Sequence, residues 1–253
     1  MRLEKYHGLG NDFLVLLDLE GSRPVDGEQA RALCDRRRGV GADGLIRVTA
    51  DGRGAAVAMQ LFNADGRRAE MSGNGIRCLA LALADAGLAP ARSFTVSTDA
   101  GLRTVEMLDD GQIAVDMGAA QILDSRTTAG GLRETAVDMG NPHVVVEVAD
   151  PAKVDLAEEA ALRGDVNVEV VAAGPGPDEI TVRVHERGVG ETQACGTGAS
   201  AAAAAAAGWG LVGDRVTVRQ PGGDLQVHLG PDTVTLTGPA VYVGSVEVPD
   251  TRP

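Results

Sequence analysis

Two loops of this chain share one grammar, and together they constrain the fold more than any other feature. Met71-Ser72-Gly73-Asn74-Gly75 runs into Ile76-Arg77-Cys78-Leu79-Ala80, and Ala194-Cys195-Gly196-Thr197-Gly198 runs into Ala199-Ser200 and the alanines 201 to 207. Each sets a hydroxyl or a thiol before Gly-x-Gly, at the start of a predicted helix. Other landmarks repeat in the same order. Gly10-Asn11-Asp12-Phe13 precedes the apolar run Leu14-Val15-Leu16-Leu17, as Gly140-Asn141-Pro142-His143 precedes Val144-Val145-Val146. Asn63 lies nine residues before Ser72, and Glu186 nine before Cys195. From Asn11 to Ser72 is 61 residues, and from Asn141 to Cys195 is 54. Three landmarks in one order at similar spacing indicate an internal duplication, with a period far longer than a solenoid repeat. The 253 residues then divide into two domains of ordinary size.

The local patterns give many short strands and few helices. Strands are predicted over 13–17, 57–62, 94–98, 103–107, 113–117, 144–148, 180–185, 216–219, 225–229, 233–237 and 242–248, from Val and Ile alternation punctuated by Gly and Asp-Gly. Helices are predicted over 27–36, 74–86, 155–162 and 197–207. The last is nearly all Ala, so it has no thick face and belongs at close range inside a sheet. The polar, Gly-containing segment 119–133 reads as a linker. The expected fold is α+β, in two pseudo-symmetric halves. Each is a curved, mostly antiparallel sheet wrapped around a central helix. The expected halves are 1–118 and 119–240.

Only six aromatics occur, so the cores are built from Val, Leu, Ile and Ala. A net charge of −13 disfavours nucleic acid or an anionic membrane surface as a partner. No apolar run approaches the ~20 residues of a membrane span, and Met1-Arg2-Leu3-Glu4-Lys5 lacks a signal-peptide core. Three cysteines without CxxC spacing suit reduced thiols and a cytoplasmic location. The four histidines (7, 143, 185 and 228) form no ligand-spaced cluster with Cys, so no metal is expected. His185 and His228 fall in strand patterns and read as ordinary.

The chemistry follows from placing Ser72 and Cys195 at helix N-termini. Glycines let the backbone approach a ligand and leave several N–H groups pointing at it. The helix dipole favours an anion there, either a carboxylate or a thiolate, and lowers a cysteine pKa from ~8.5. Cys34 and Cys78 lie on apolar helix faces and read as structural. Two such loops facing one another across a cleft suit proton removal from one face of a carbon and delivery to the other. Pyridoxal phosphate, the usual electron sink for racemising amino acids, needs a Schiff-base lysine. Only Lys5 and Lys153 are present, neither in a convincing site, so a cofactor-free reaction is expected.

Here the motifs become specific. His7-Gly8-Leu9-Gly10-Asn11-Asp12-Phe13, Arg38-Gly39-Val40-Gly41-Ala42-Asp43-Gly44 and Phe62-Asn63-Ala64-Asp65-Gly66 are followed by Gly140-Asn141-Pro142-His143, Val166-Asn167-Val168-Glu169 and the block Glu186-Arg187-Gly188-Val189-Gly190-Glu191-Thr192-Gln193-Ala194-Cys195-Gly196-Thr197-Gly198. These blocks resemble the diaminopimelate epimerase family, within the proline-racemase-like superfamily. The resemblance implies cofactor-independent interconversion of LL- and meso-2,6-diaminopimelate, on the route to lysine and peptidoglycan. It also implies an active site between the two halves, a C-terminal strand in 241–253 that returns to the first half, and a homodimer. It gives Asn11, Asn63, Asn141 and Asn167 to the substrate's ammonium and carboxylate groups, and Glu186 and Arg187 to its distal end. Gly73, Asn74, Gly196 and Thr197 would bind the reacting carboxylate, and His143 would steady the acid–base pair.

Ser72 departs from that pattern, which has a catalytic Cys before Gly-Asn-Gly. A hydroxyl is far less acidic than a thiol, and helix-end effects of ~0.3–2 kcal/mol amount to at most about one to two pKa units. Four readings stay open: an epimerase with Ser72 working as the acid, a Cys-to-Ser mutant, a related Ser/Cys epimerase or one-base dehydratase, and a substrate-binding homologue with impaired catalysis. A milder departure is Gly44, where some members of the family carry a Gln that touches substrate.

Overall fold

The computed structural model describes residues 1–52, 54–128 and 130–249. The chain divides into two compact units, one made of residues 1–115 and the C-terminal segment from 239, the other of residues 116–238.

In the first unit, β1 (Arg2–Gly8) and β2 (Asn11–Leu17) form a hairpin turned by Leu9 and Gly10, both at positive φ. Helix α1 (Gly27–Cys34) follows, opened by a reciprocal Asp26–Gln29 capping box. Next come β3 (Gly44–Ala50), β4 (Val57–Asn63) and the short β5 (Arg68–Ala69). Helix α2 (Gly73–Asp85) leads to β6 (Ser93–Thr98), β7 (Gly101–Met107) and β8 (Ile113–Asp116). The C-terminal strand β18 (Val241–Glu247) pairs antiparallel with β1. The sheet order is therefore β18-β1-β2-β3-β4-β6-β7-β8, antiparallel except at β2–β3 and β4–β6. Helix α2 packs on β1, β2, β3, β7 and β18. Those strands come from both sides of the sheet, so the sheet curls around the helix. A separate cluster of Leu14, Leu16, Leu45, Phe62 and Cys34 seats α1 on the outer face.

The second unit repeats this arrangement strand for strand. It comprises β9 (Gln121–Thr127), β10 (Arg133–Asp138), β11 (Pro142–Glu147), α3 (Leu156–Ala161), β12 (Asn167–Ala173), β13 (Glu179–Glu186) and β14 (Gly190–Thr192). Helix α4 (Gly196–Gly208), β15 (Arg215–Gln220), β16 (Gly223–Leu229) and β17 (Val234–Gly238) complete it. The order is β9-β10-β11-β12-β13-β15-β16-β17, with parallel steps at β11–β12 and β13–β15, matching β2–β3 and β4–β6. The alanine face of α4 lets strands β10 to β13 and β15 to β17 approach it, and Ala199, Ala201, Ala202, Ala203, Ala205 and Ala206 are all buried. Packing at that range offsets the small area each methyl contributes.

One expectation is corrected. Segment 119–133 is not a linker: it contains β9 and the start of β10. Every residue of β9 is exposed, so neither of its faces carries the apolar alternation that marks a half-buried strand. Its backbone pairing with β10 holds it, in the same place that β18 takes on β1. The expected return strand 241–253 corresponds to β18, and residues 250–253 lie outside the described residues.

Candidate active site

In the first unit, Ser72 caps α2. Its backbone is extended (φ −143°, ψ 122°), and its Oγ accepts the Gly75 N–H at 3.0 Å. A Cβ on Gly75 would press on Ser72 Oγ at 3.3 Å and on Ile46 Cδ1 at 3.1 Å, so a larger residue there would push on both side chains. A chain of amides runs out from this loop. Asn74 Nδ2 donates to Asn11 Oδ1 at 3.1 Å, and Asn11 Nδ2 donates to Asp43 Oδ2 at 2.9 Å. Arg36 ties Asp43 to Asp12, reaching each carboxylate at 2.6 Å, and Lys5 Nζ lies 2.8 Å from Asp12. Asn63, at the end of β4, makes backbone bonds to Arg67 and Gly66 and stands outside that chain.

Asp12 anchors the whole chain. Burial would raise its carboxyl, but Arg36 and Lys5 outweigh burial and hold it at about 2. A carboxylate whose folded pKa lies below its unfolded value stabilises the protein above the unfolded pKa, near 4, and loses that stabilisation as pH falls toward 2. The expected loss over this window is up to about 2 kcal/mol. Urea unfolding from pH 5 to pH 2 should show it, and Asp12→Asn should flatten the slope. An equally steep slope in the variant would assign the acid sensitivity elsewhere.

In the second unit, Cys195 stands where Ser72 stands in the first, with nearly the same backbone (φ −130°, ψ 123°). Its Sγ accepts the Gly198 N–H at 3.4 Å and lies 3.5 Å from Thr197 Oγ1. Its own N–H is taken by Gln220 Oε1 at 2.8 Å. Asn141 Nδ2 reaches Thr197 Oγ1 at 3.5 Å, the counterpart of the Asn11–Asn74 contact. Asn141 Oδ1 lies 3.0 Å from His143 Nε2, and His143 Nδ1 lies 2.7 Å from Glu169 Oε1. His143 thus bridges Asn141 and Glu169 through its two ring nitrogens. Asn167 is a brace: its Nδ2 donates to the Pro142 carbonyl at 2.9 Å and its Oδ1 accepts the Arg187 N–H at 3.0 Å.

Glu186 lies on the thiol. Burial pushes its carboxyl up, while hydrogen bonds from Thr192 (2.6 Å) and Cys195 pull it down. Burial likewise raises Cys195 well above an ordinary thiol, with Glu186 and Glu169 adding to the effect against the pull of Thr197 and the Gly198 N–H. The expected lowering of this thiol by the helix end is therefore reversed. Two carboxylates and burial outweigh one helix terminus, and the resting group is a protonated thiol. Cys34 and Cys78 are buried free thiols. Lys5 is engaged with Asp12, and Lys153 is exposed and paired with Asp150. Among the described residues no group of three or more His, Cys, Asp or Glu could hold a metal ion, and no helix is long and apolar enough to cross a membrane.

Sequence reasoning left Asp43, Arg77, Glu169 and Gln220 without roles. Glu169 shares a face of β12 with Asn167, and that two-residue spacing could have revealed it. Gln220 offered no such signal.

The family described as diaminopimelate epimerase matches residues 3–123 and 135–243, nearly the whole chain. The chain belongs to the diaminopimelate epimerase family. A diaminopimelate epimerase of Thermobifida fusca is 43% identical, with 98% of each chain covered. One of Synechocystis is 38% identical, covering 98% of this chain and 99% of its own. The fold is shared more widely than the diaminopimelate epimerase sequence. A Bacillus anthracis protein of the phenazine-biosynthesis PhzF family superposes with a TM-score of 0.76 at 18% identity, covering 98% of both chains. A hydroxyproline epimerase of Agrobacterium vitis superposes with a TM-score of 0.68 at 20% identity, covering 98% of this chain and 90% of its own.

Proposed function

We propose that the chain is a diaminopimelate epimerase that interconverts LL- and meso-2,6-diaminopimelate with its own side chains as proton carriers. The observation that carries this reading is the Cys195 half-site. A buried thiol caps a helix N-terminus, has a carboxyl on it to take its proton, and sits beside N–H groups suited to a carboxylate. Near-full-length relatives of this name agree with it.

The roles follow from the contacts. Glu186 takes the thiol proton, and the thiolate removes the α-proton. The electron pair left on carbon is drawn into the adjoining carboxylate, whose oxygens take N–H groups at Gly73 and Asn74 in one loop and at Gly196 and Thr197 in the other. Protonation of the other face gives the inverted centre; in the reverse direction Cys195 supplies the proton. Asn11, Asn63, Asn141 and Asn167 serve the substrate's polar groups. Arg187 holds the distal carboxylate. Glu186 works at the thiol rather than at that distal end. His143, held between Asn141 and Glu169, steadies the neighbourhood of the thiol.

Ser72 takes the second proton-carrying position. Its hydroxyl can donate a proton but forms an anion far less readily than a thiol, which favours a second reading: one-base exchange without inversion. Incubating LL-diaminopimelate with the pure, reduced protein in D₂O separates the two. Deuterium at one α-carbon together with the meso isomer is the expected result. Deuterium without the meso isomer would replace epimerisation by one-base exchange, and neither product would end both readings. A keto product, trapped by a carbonyl reagent, would mark a dehydratase.

The protein is further read as a cytoplasmic homodimer. Its cysteines are free and buried, and Val241, Tyr242 and Val243 form an exposed apolar row on β18. Light scattering that returned the mass of one chain would dismiss the dimer, and recovery outside the cytoplasmic fraction would dismiss the location.

A further inference from the structure

A fully buried arginine lies directly beneath the Ser72 loop, and no step above uses it. Arg77 has 0% exposure. Its Nη1 donates to the Gly73 carbonyl at 3.1 Å, its Nη2 to Asn74 Oδ1 at 2.9 Å and its Nε to the Pro239 carbonyl at 3.1 Å. All three acceptors are neutral. Among the described residues no carboxylate lies within ion-pair distance of it. Burial lowers the guanidinium to about 10, which leaves it cationic at neutral pH. The chain is thinned to admit it, since a Cβ on Gly8 would lie 3.0 Å from Nη2. Buried charges are ordinarily paired, because taking an ion out of water costs several kcal/mol. An unpaired one hydrogen-bonded to the loop itself needs an explanation.

The duplication supplies a control. The position equivalent to Arg77 in α4 is Ser200, whose Oγ donates to the Gly196 carbonyl at 3.0 Å. Both side chains therefore bond the carbonyl four residues back, but only Arg77 brings charge. The second loop has Glu186 and Glu169 acting on its cap residue instead. Two copies of one backbone cradle thus carry opposite electrostatics, cationic under Ser72 and anionic beside Cys195.

We propose that Arg77 is a positioning residue that charges the Gly73–Asn74 loop for the substrate's reacting carboxylate and fixes the amide of Asn74 toward Asn11. This rests on the epimerase reading and assigns the two loops unequal shares of one task. The second loop holds the proton, and the first holds the negative charge. That charge grows as the α-proton leaves, so a fixed cation beneath the loop favours the carbanion-like state over the bound substrate. The same guanidinium orients the amides. With Asn74 Oδ1 bound to Arg77, Asn74 Nδ2 faces Asn11 Oδ1, which leaves Asn11 Nδ2 for Asp43.

The test compares wild type, Arg77→Met and Arg77→Lys by calorimetric binding of meso-diaminopimelate and by α-proton exchange in D₂O, with cooperative melting as the check on folding. Arg77→Met is expected to bind about tenfold more weakly and to lose more in kcat than in binding, as a lost charge-assisted contact would dictate. Arg77→Lys, which keeps the charge, should stay within about threefold of wild type in binding. A folded Arg77→Met with wild-type affinity and kcat would overturn the proposal, as would equal losses in the two variants. If Arg77→Met does not fold, Arg77→Lys decides: a tenfold or greater loss of affinity in the folded lysine variant overturns it. Wild type that binds no meso-diaminopimelate sinks the functional reading itself, whereas binding wild type with an unaffected Arg77→Met sinks only this inference.

Discussion

Cys195→Ala is expected to lower α-proton exchange by on the order of 10²–10⁴-fold, the range that one positioned acid–base group contributes. The effect should be on rate rather than affinity, because the N–H groups of Gly196 and Thr197 belong to the backbone and remain. The substitution also removes the helix cap on the Gly198 N–H, a change that costs about 1 kcal/mol. Cys195→Ser separates the two effects. A hydroxyl restores the cap, as Ser72 shows with the Gly75 N–H at 3.0 Å, but not the proton chemistry. Deuterium wash-in measured for both variants should therefore be equally slow while only the alanine variant is less stable. If the serine variant exchanged at the wild-type rate, the thiol would not be the proton carrier, and Glu186 acting directly on substrate would become the better reading.

Ser72→Cys is expected to raise the rate of inversion by on the order of 10–10²-fold. The two loops are alike in backbone: Ser72 and Cys195 differ by 13° in φ and 1° in ψ, and both cap the third residue of the loop. Gly75 and Gly198 would each set a Cβ 3.3–3.4 Å from the cap atom, so the space at the two sites is matched. A thiol at 72 therefore needs no new backbone. It would also meet a different field, because the Arg77 guanidinium bonds the Gly73 carbonyl of its loop, whereas a pair of glutamates acts on Cys195. The gain should appear as faster formation of the meso isomer in D₂O, with little change in affinity. An unchanged or lower rate would mean that Ser72 is matched to its own role.

The sequence carried the fold because the duplication and the apolar strands are both local signals. The runs at 13–17, 57–62 and 225–229 lie within β2, β4 and β16, and the alanine run marks α4. Strand β9 escaped because it is paired to β10 while every one of its residues is exposed, so no apolar alternation marks it. Within the site, the two cap residues and their glycines were readable from the motifs. Their connections were not. Asn11 and Asn74 are 63 residues apart, Arg77 reaches Pro239 across 162, and Cys195 meets Gln220 across 25. No local pattern encodes contacts at such separations. The direction of the Cys195 shift was misread for a related reason. The helix end is visible in the motif, whereas the carboxylates that oppose it come from β12 and β13.

Strand β18 has a consequence for how the molecule is made. The second unit is continuous in the chain, whereas the first needs residues 241–247 to cover β1. On a ribosome, the half synthesised first is thus the last to be completed. Until β18 emerges, β1 presents a bare hydrogen-bonding edge beside the α2 loop. Carboxypeptidase trimming or a late frameshift would therefore damage the N-terminal half, far from the lesion in sequence.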